Sequence, residues 1–109
     1  MNNDKFQIED ITVGEGQEAA SGDFVLVHYS GMLISGEVFD SSYERKIPFK
    51  TRIGVGQVIP GWDMGLPGMK TGGKRKLTIP PQLAYGDKGI GSIPPNSTLI
   101  FEIELIGIE

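Results

Sequence analysis

TLIFEIELIGI, residues Thr98 to Ile108, alternates almost without interruption. Leu99, Phe101, Ile103 and Leu105 fall on one side of an extended chain, and Ile100, Glu102, Glu104 and Ile106 on the other. Successive side chains of a strand point to opposite faces, so this pattern predicts a long antiparallel strand, buried on one face and wetted on the other. Working outward, Lys74 to Ile79 reads as a second strand with Leu77 and Ile79 on one face. Asp23 to Ile34 reads as a third, in which Val25, Val27 and Tyr29 alternate with Phe24, Leu26 and His28. Pro48 to Ile53 is a further candidate strand. The spacing of Phe6, Ile8, Ile11 and Val13 suggests an extended first segment, ended by the turn-like Gly14-Glu15-Gly16. Ser35-Gly36 turns the chain into a short run ending at Val38-Phe39, and Asp40-Ser41-Ser42 has the composition of a turn.

One stretch, Val58 to Met69, reads as a helix. Pro60 suits a first helical position, and Trp62, Leu66 and Met69 recur at helical spacing. Gly65, Pro67 and Gly68 limit it to about two turns or fewer. The predicted class is α+β: an antiparallel sheet of several strands covering one short helix on one face. Pro80 to Ser97 is then a long loop inside a compact domain, and such loops are usually functional.

The chain has 109 residues, which suits one domain, 1–109, with residues 1–10 expected to be a partly ordered N-terminal extension. It contains no cysteine, which excludes disulfides, thiolate metal sites and cysteine nucleophiles. A single histidine, His28, leaves no His-rich metal cluster, and no cofactor is expected. Fourteen acidic residues against ten basic give a net charge of −4, which argues against a nucleic-acid partner. The first ten residues carry no apolar signal segment, and no apolar run is long enough to span a bilayer. A cytoplasmic monomer with no membrane partner is the expectation. Sixteen glycines and seven prolines lie between apolar runs, as short strands joined by turns require.

Catalytic groupings are sparse. Asp40, Ser41, Ser42 and His28 contain the residue types of a nucleophilic triad, but Asp-Ser-Ser is turn chemistry and a lone strand histidine is usually structural. Gly68 to Arg75, GMKTGGKR, follows the phosphate-loop pattern until Arg75 replaces the magnesium-binding hydroxyl, and the motif precedes a strand instead of a helix. Lys70, Lys74, Arg75 and Lys76 read as a solvated sheet face, and Asn96-Ser97-Thr98 is a sequon without consequence in a cytoplasmic chain. What remains is a set of apolar rings. Tyr29, Phe39, Phe49, Trp62, Tyr85 and Phe101 sit at strand ends, at the helix start or in the long loop. With Val58 and Ile59 they would line one concave apolar pocket, or they simply form the core. Tyr85, in a loop rich in Gly and Pro, suits a pocket wall better than a core.

At these residues the chain resembles the FKBP-type peptidyl-prolyl cis-trans isomerases, a family of macrolide-binding immunophilins. The resemblance is carried by VHYSGML (Val27 to Leu33), GEVFDSS (Gly36 to Ser42) and GQVIPGWDMGL (Gly56 to Leu66). GGKRKLTIP (Gly72 to Pro80), AYG (Ala84 to Gly86) and IPPNSTLIFEIEL (Ile93 to Leu105) continue it in order, from about Ile11 onward. It implies a five- to six-stranded antiparallel sheet wrapped around one short helix, proline-containing peptides and unfolded chains as substrates, and inhibition by macrolides of the rapamycin and tacrolimus type. The implied pocket has Trp62 as floor, Tyr29, Phe39, Phe49 and Phe101 as walls, and Val58 and Ile59 at the rim. The Ile59 N–H and the Tyr85 hydroxyl would bind ligand carbonyls, Asp40 would be the deepest polar group, and Ile93 would close the pocket from the loop. The implied catalytic set is Asp40, Tyr85, Phe39, Trp62 and Phe101. Arg45 would pair with Asp40 or Tyr85. Gln57 takes a rim position that is often acidic in animal members. The loop Asp87 to Ser92 is about one residue short and lacks a histidine that some members carry. Relatives with strong chaperone activity carry a large insertion after Tyr85, which this chain lacks, so it should hold unfolded chains poorly.

Overall fold

The computed structural model describes residues 5–109. Six strands form one antiparallel sheet: β1 (Gln7–Thr12), β2 (Phe24–Leu33), β3 (Val38–Ser41), β4 (Phe49–Arg52), β5 (Lys74–Ile79) and β6 (Leu99–Ile108). Their order is β1-β5-β6-β2-β3, with β4 also on β2. The alternation in β6 is kept residue for residue, since Leu99, Phe101, Ile103 and Leu105 are buried while the residues between them are not. Opposite it, Val25, Val27 and Tyr29 of β2 complete the inner layer. Gln7 to Asp10 pair with β5, so this part of the expected N-terminal extension is strand; residues 1–4 of it lie outside the described residues.

The edge of β2 is shared by two short strands. β4 pairs with Phe24 to Val27, and β3 with Ser30 to Met32. Between them the chain leaves the edge for a single helical turn, α1 (Ser42–Arg45). The turn expected at Asp40-Ser41-Ser42 is therefore the end of β3 and the start of a helix, with the Ser41 hydroxyl capping the Glu44 N–H at 3.4 Å. Val58 to Met69 is not the only helical segment, because a 3₁₀ turn also follows at Pro81–Leu83.

The principal helix, α2 (Pro60–Gly65), is shorter than the apolar spacing suggests. Pro60 opens it, and Trp62, Leu66 and Met69 are all buried, the last two beyond its end. It packs against β5 through two glycines. A Cβ at Gly61 would lie 2.5 Å from Ile79 Cγ2, and one at Gly65 would lie 2.7 Å from Leu77 Cδ1. Only hydrogen at these positions lets the helix backbone rest on the sheet. Gly61→Ala is expected to cost about 1–3 kcal/mol by overpacking, read as a lower denaturation midpoint at unchanged m-value. An unchanged midpoint would mean that Ile79 yields freely.

Arg75 departs from the expected solvated face. It shares the strand parity of Leu77 and Ile79, and its side chain is only 11% exposed. Nη1 donates to the carbonyl oxygens of Gly65 (2.9 Å) and Pro67 (3.3 Å), and Nε donates to Asp10 Oδ1 (2.7 Å). A cation thus closes the C-terminal end of α2 and ties it to β1. Gly72-Gly73 turns tightly into β5, with the Gly73 N–H donating to the Lys70 carbonyl at 2.8 Å.

Candidate active site

Five of the six aromatics singled out above come from five different elements, and the fold brings them together. Tyr29 lies on β2, Phe39 on β3, Phe49 on β4, Trp62 on α2 and Phe101 on β6. Their rings stand edge to face. Trp62 meets Tyr29 at 5.1 Å and 82°, and Phe101 at 5.4 Å and 87°. Phe49 meets Trp62 at 6.0 Å and 75°, and Phe39 meets Phe101 at 5.7 Å and 90°. Such pairs each add about 0.5–1.5 kcal/mol beyond the area they bury. The choice between core and pocket dissolves, because Trp62 and Phe101 are both 4% exposed and both line the cavity.

The cavity encloses about 240 Å³. The five rings, Val58, Ile59, Asp40, Gln57 and Tyr85 line it. Two expected residues do not. Ile93 is 6% exposed and belongs to the apolar core, its N–H donating to the Ile90 carbonyl at 2.8 Å, so the loop buries it where a lid was expected. Arg45 is not among the lining residues; its half-exposed side chain reaches two of them, Asp40 and Tyr29.

The three side chains form a closed triangle. The Tyr29 hydroxyl donates to Asp40 Oδ2 at 2.6 Å and accepts from Arg45 Nη2 at 2.9 Å, while Arg45 Nη1 donates to Asp40 Oδ1. Arg45 pairs with Asp40, as one of the two expected alternatives had it, and its second partner is Tyr29 instead of Tyr85. Burial alone would raise the Asp40 pKa, but the bonds from Tyr29 and Arg45 outweigh it and hold the carboxyl below its ordinary 3.8. Asp40 is thus a fixed negative charge at the cavity wall. Tyr29 is pushed up, first by burial and then by its bond to Asp40. Tyr85 is also raised, by burial and by the Asp40 charge, so it remains a hydroxyl donor at neutral pH. Among the described residues its hydroxyl has no hydrogen-bond partner, nor has the Ile59 N–H at the rim. Both are available to a ligand carbonyl.

The imagined nucleophilic triad does not assemble. The Ser42 Oγ is 2.8 Å from His28 Nδ1, but Ser42 is fully buried and its oxygen accepts the Tyr29 N–H at 2.7 Å. Asp40 is committed to Tyr29 and Arg45, on the other side of β2. His28 instead stacks on Tyr43 at 4.7 Å, and Tyr43, raised to about 12 by burial and its bond to Glu104, donates to Glu104 Oε1 at 3.0 Å. Among the described residues no group of three or more acidic or histidine side chains is placed to hold a metal ion.

Two contributors escaped the sequence reading. Gly31, in the row of buried β2 residues, leaves room for the rings: a Cβ there would lie 2.8 Å from both Phe101 Cε1 and Phe39 Cζ. A glycine inside a strand pattern signals such an approach. Asp63, an acid in the first turn of α2, bonds to the loop that carries the rim.

Comparison with known proteins agrees with this geometry. A family model described as FKBP-type peptidyl-prolyl cis-trans isomerase matches residues 15–106. An FK506-binding protein of Neisseria meningitidis serogroup A is 55% identical over 102 residues, spanning 93% of this chain and 94% of that one. The FK506-binding protein 1A of Neurospora crassa is 57% identical over 108 residues, spanning 97% and 90%. The crystal structure of AtFKBP13, a protein of Arabidopsis thaliana, superposes with a TM-score of 0.89 at 51% identity, covering 95% of this chain and 93% of that one. With its sheet, its aromatic cavity and these relatives in agreement, the chain belongs to the FKBP-type peptidyl-prolyl cis-trans isomerases.

Proposed function

We propose that the chain speeds rotation about X–Pro bonds by seating the prolyl ring in the aromatic cavity, and that rapamycin-type macrolides compete for the same seat. The observation that supports this most directly is the box of edge-to-face rings, open at a rim that offers two unpaired donors. A planar amide resists rotation by about 18–20 kcal/mol because twisting breaks its resonance. X–Pro bonds exchange over tens of seconds or more, with cis and trans nearly balanced. In the twisted state the nitrogen no longer donates to the carbonyl, so the amide is less polar. An apolar cavity that excludes water favours that state over the planar one. About 5–6 kcal/mol of such preference corresponds to about 10⁴ in rate, and no covalent bond has to break.

The chain's residues divide this work. Trp62 and Phe101 support the prolyl ring, the Ile59 N–H and Tyr85 hydroxyl hold flanking carbonyls, and Asp40 acts on the twisted amide by charge alone, without carrying a proton. The relatives named FK506-binding proteins support the macrolide half of the proposal. A non-catalytic peptide-binding module would use the same walls, and kinetics separates the two.

The test is a proline-peptide isomerisation assay with and without rapamycin. Activity abolished by a stoichiometric amount of drug is the expected result. Trp62 is the only tryptophan, so its emission should change in step with occupancy. Binding without activity would leave the module, and neither binding nor activity would sink the proposal.

A further inference from the structure

The rim residues Gln57, Val58 and Ile59 belong to no strand or helix. They follow a segment, Ile53 to Gly56, that lacks ladder partners and has to be held in some other way. Its start is fixed, since the Ile53 N–H donates to the Asp23 carbonyl at 3.0 Å and the Gly22 N–H to the Ile53 carbonyl at 2.7 Å. Beyond that point the Ser21 hydroxyl donates to the Gly54 carbonyl at 3.4 Å, and the backbone N–H groups are held by one carboxylate. The Gly54 N–H donates to Asp63 Oδ1 at 2.7 Å and the Gly56 N–H to Asp63 Oδ2 at 2.8 Å.

Both carboxylate oxygens are therefore spent on backbone seven and nine residues upstream, beyond the helix that Asp63 sits on. For alternate N–H groups to converge on one anion, the chain must coil back, and Gly54 and Gly56 do so with φ of +80° and +84°. At Gly54 no side chain would fit in any case, because a Cβ would lie 2.0 Å from Ser21 Oγ. Bonds to an ionised acceptor are the stronger kind. The far end of the rim is fixed by the same helix. The Ile59 carbonyl accepts the N–H groups of Trp62 (2.9 Å) and Asp63 (3.2 Å), while the N–H of the same residue has no partner among the described residues.

We infer that Asp63 is a positioning residue, whose carboxylate sets the rim loop so that the Ile59 N–H faces the substrate carbonyl above Trp62. Floor and rim are locked together because Trp62 and Asp63 are neighbours on one short helix. Asp63 touches no substrate. Its effect runs through Gly54, Gly56 and the three residues that lead to Pro60. The inference rests on the isomerase reading above and adds to it the device that holds one of the two carbonyl donors in place.

A purely structural acid at a helix start would influence stability only, so the test separates binding from folding. Asp63→Asn keeps the shape but offers one acceptor and turns an NH₂ toward the other glycine N–H. With the folded variant, KM for a proline peptide is expected to rise about tenfold while kcat stays within about twofold, as loss of orientation at a remote contact requires. Amide exchange at Gly54 and Gly56 should accelerate by about tenfold or more as these bonds open. Asp63→Glu, which restores both oxygens, should return KM to within about threefold of the parent. An unchanged KM in Asp63→Asn, with the glycine amides exchanging faster, overturns the inference while the isomerase reading stands. Should Asp63→Asn not fold, the parent and Asp63→Glu decide it: unprotected Gly54 and Gly56 amides in the parent overturn the clamp. A parent chain without isomerase activity overturns the isomerase reading and this inference with it.

Discussion

Trp62→Ala is expected to abolish measurable isomerase activity and to cost about 3–5 kcal/mol of folding stability. For a domain of this length that is a drop in Tm of roughly 12 °C or more. The size of the effect follows from the double role of the ring, which is 4% exposed and packs edge to face against Tyr29, Phe49 and Phe101. Truncation removes three aromatic contacts and leaves a void continuous with the cavity. Collapse of the neighbours into that void would close the proposed prolyl seat. Thermal melts and the peptide assay check both halves. A variant that melts close to the parent and still turns over would show that neither the floor nor the core depends on this ring. Trp62→Phe keeps a ring in place and is expected to retain most of the stability, which makes it the variant for measuring activity in a folded background.

Asp40→Leu has the second largest expected effect, and here the loss is in turnover. If the carboxylate acts on the twisted amide, its removal should lower kcat/KM about 10- to 100-fold while macrolide binding weakens less, since the rings that provide the apolar contact are untouched. Stability should fall only modestly, by about 1 kcal/mol, as the Tyr29 hydroxyl loses its acceptor and the exposed Arg45 is rehydrated. Unchanged turnover would remove Asp40 from the mechanism. The pH dependence follows from the same triangle. Because the folded carboxyl titrates below its ordinary 3.8, its contribution to stability is fully present above that value and disappears as pH falls through the lower folded one. Activity is accordingly expected to show no Asp40 titration from neutral pH down to about 4, with the break below that point. A break between pH 5 and 7 would assign the titrating group elsewhere.

Much of the fold could be read from parity. Val25, Val27 and Tyr29 against Phe24, Leu26 and His28, and the four apolar residues of β6 against its glutamates, are local patterns with a local cause. The six aromatics were legible as a group by residue type but not by position: Tyr29 lies in the middle of β2 and Phe101 within β6, where strand ends were expected. What escaped was decided by contacts between distant segments. Arg75 has inward parity, but nothing nearby in sequence shows that carbonyl oxygens of Gly65 and Pro67 await it. The one-turn helix at Ser42–Arg45 has too few residues to carry a periodicity, and its existence depends on β3 and β4 sharing one edge of β2. Ile93 is apolar in an exposed-looking loop, and a lid and a buried anchor have the same sequence signature. Asp63 carries no signal beyond that of a first-turn acid, because its partners lie across a loop whose path only the folded backbone defines.

The place of β6 in the sheet has a consequence for how the chain comes into being. It is the last of the described strands, yet it lies between β5 and β2 and is the seam that joins the β1-β5 half to the β2-β3-β4 half. A ribosome delivers the chain from its N-terminus, so the two halves have no shared strand until Leu99 to Ile108 has emerged. Pairings that span most of a chain also form slowly, because the loop entropy is lost before the contacts are gained. The domain therefore matures only after synthesis has passed its final strand. Until then, Trp62 has no Phe101 to lean on and the aromatic cavity is incomplete.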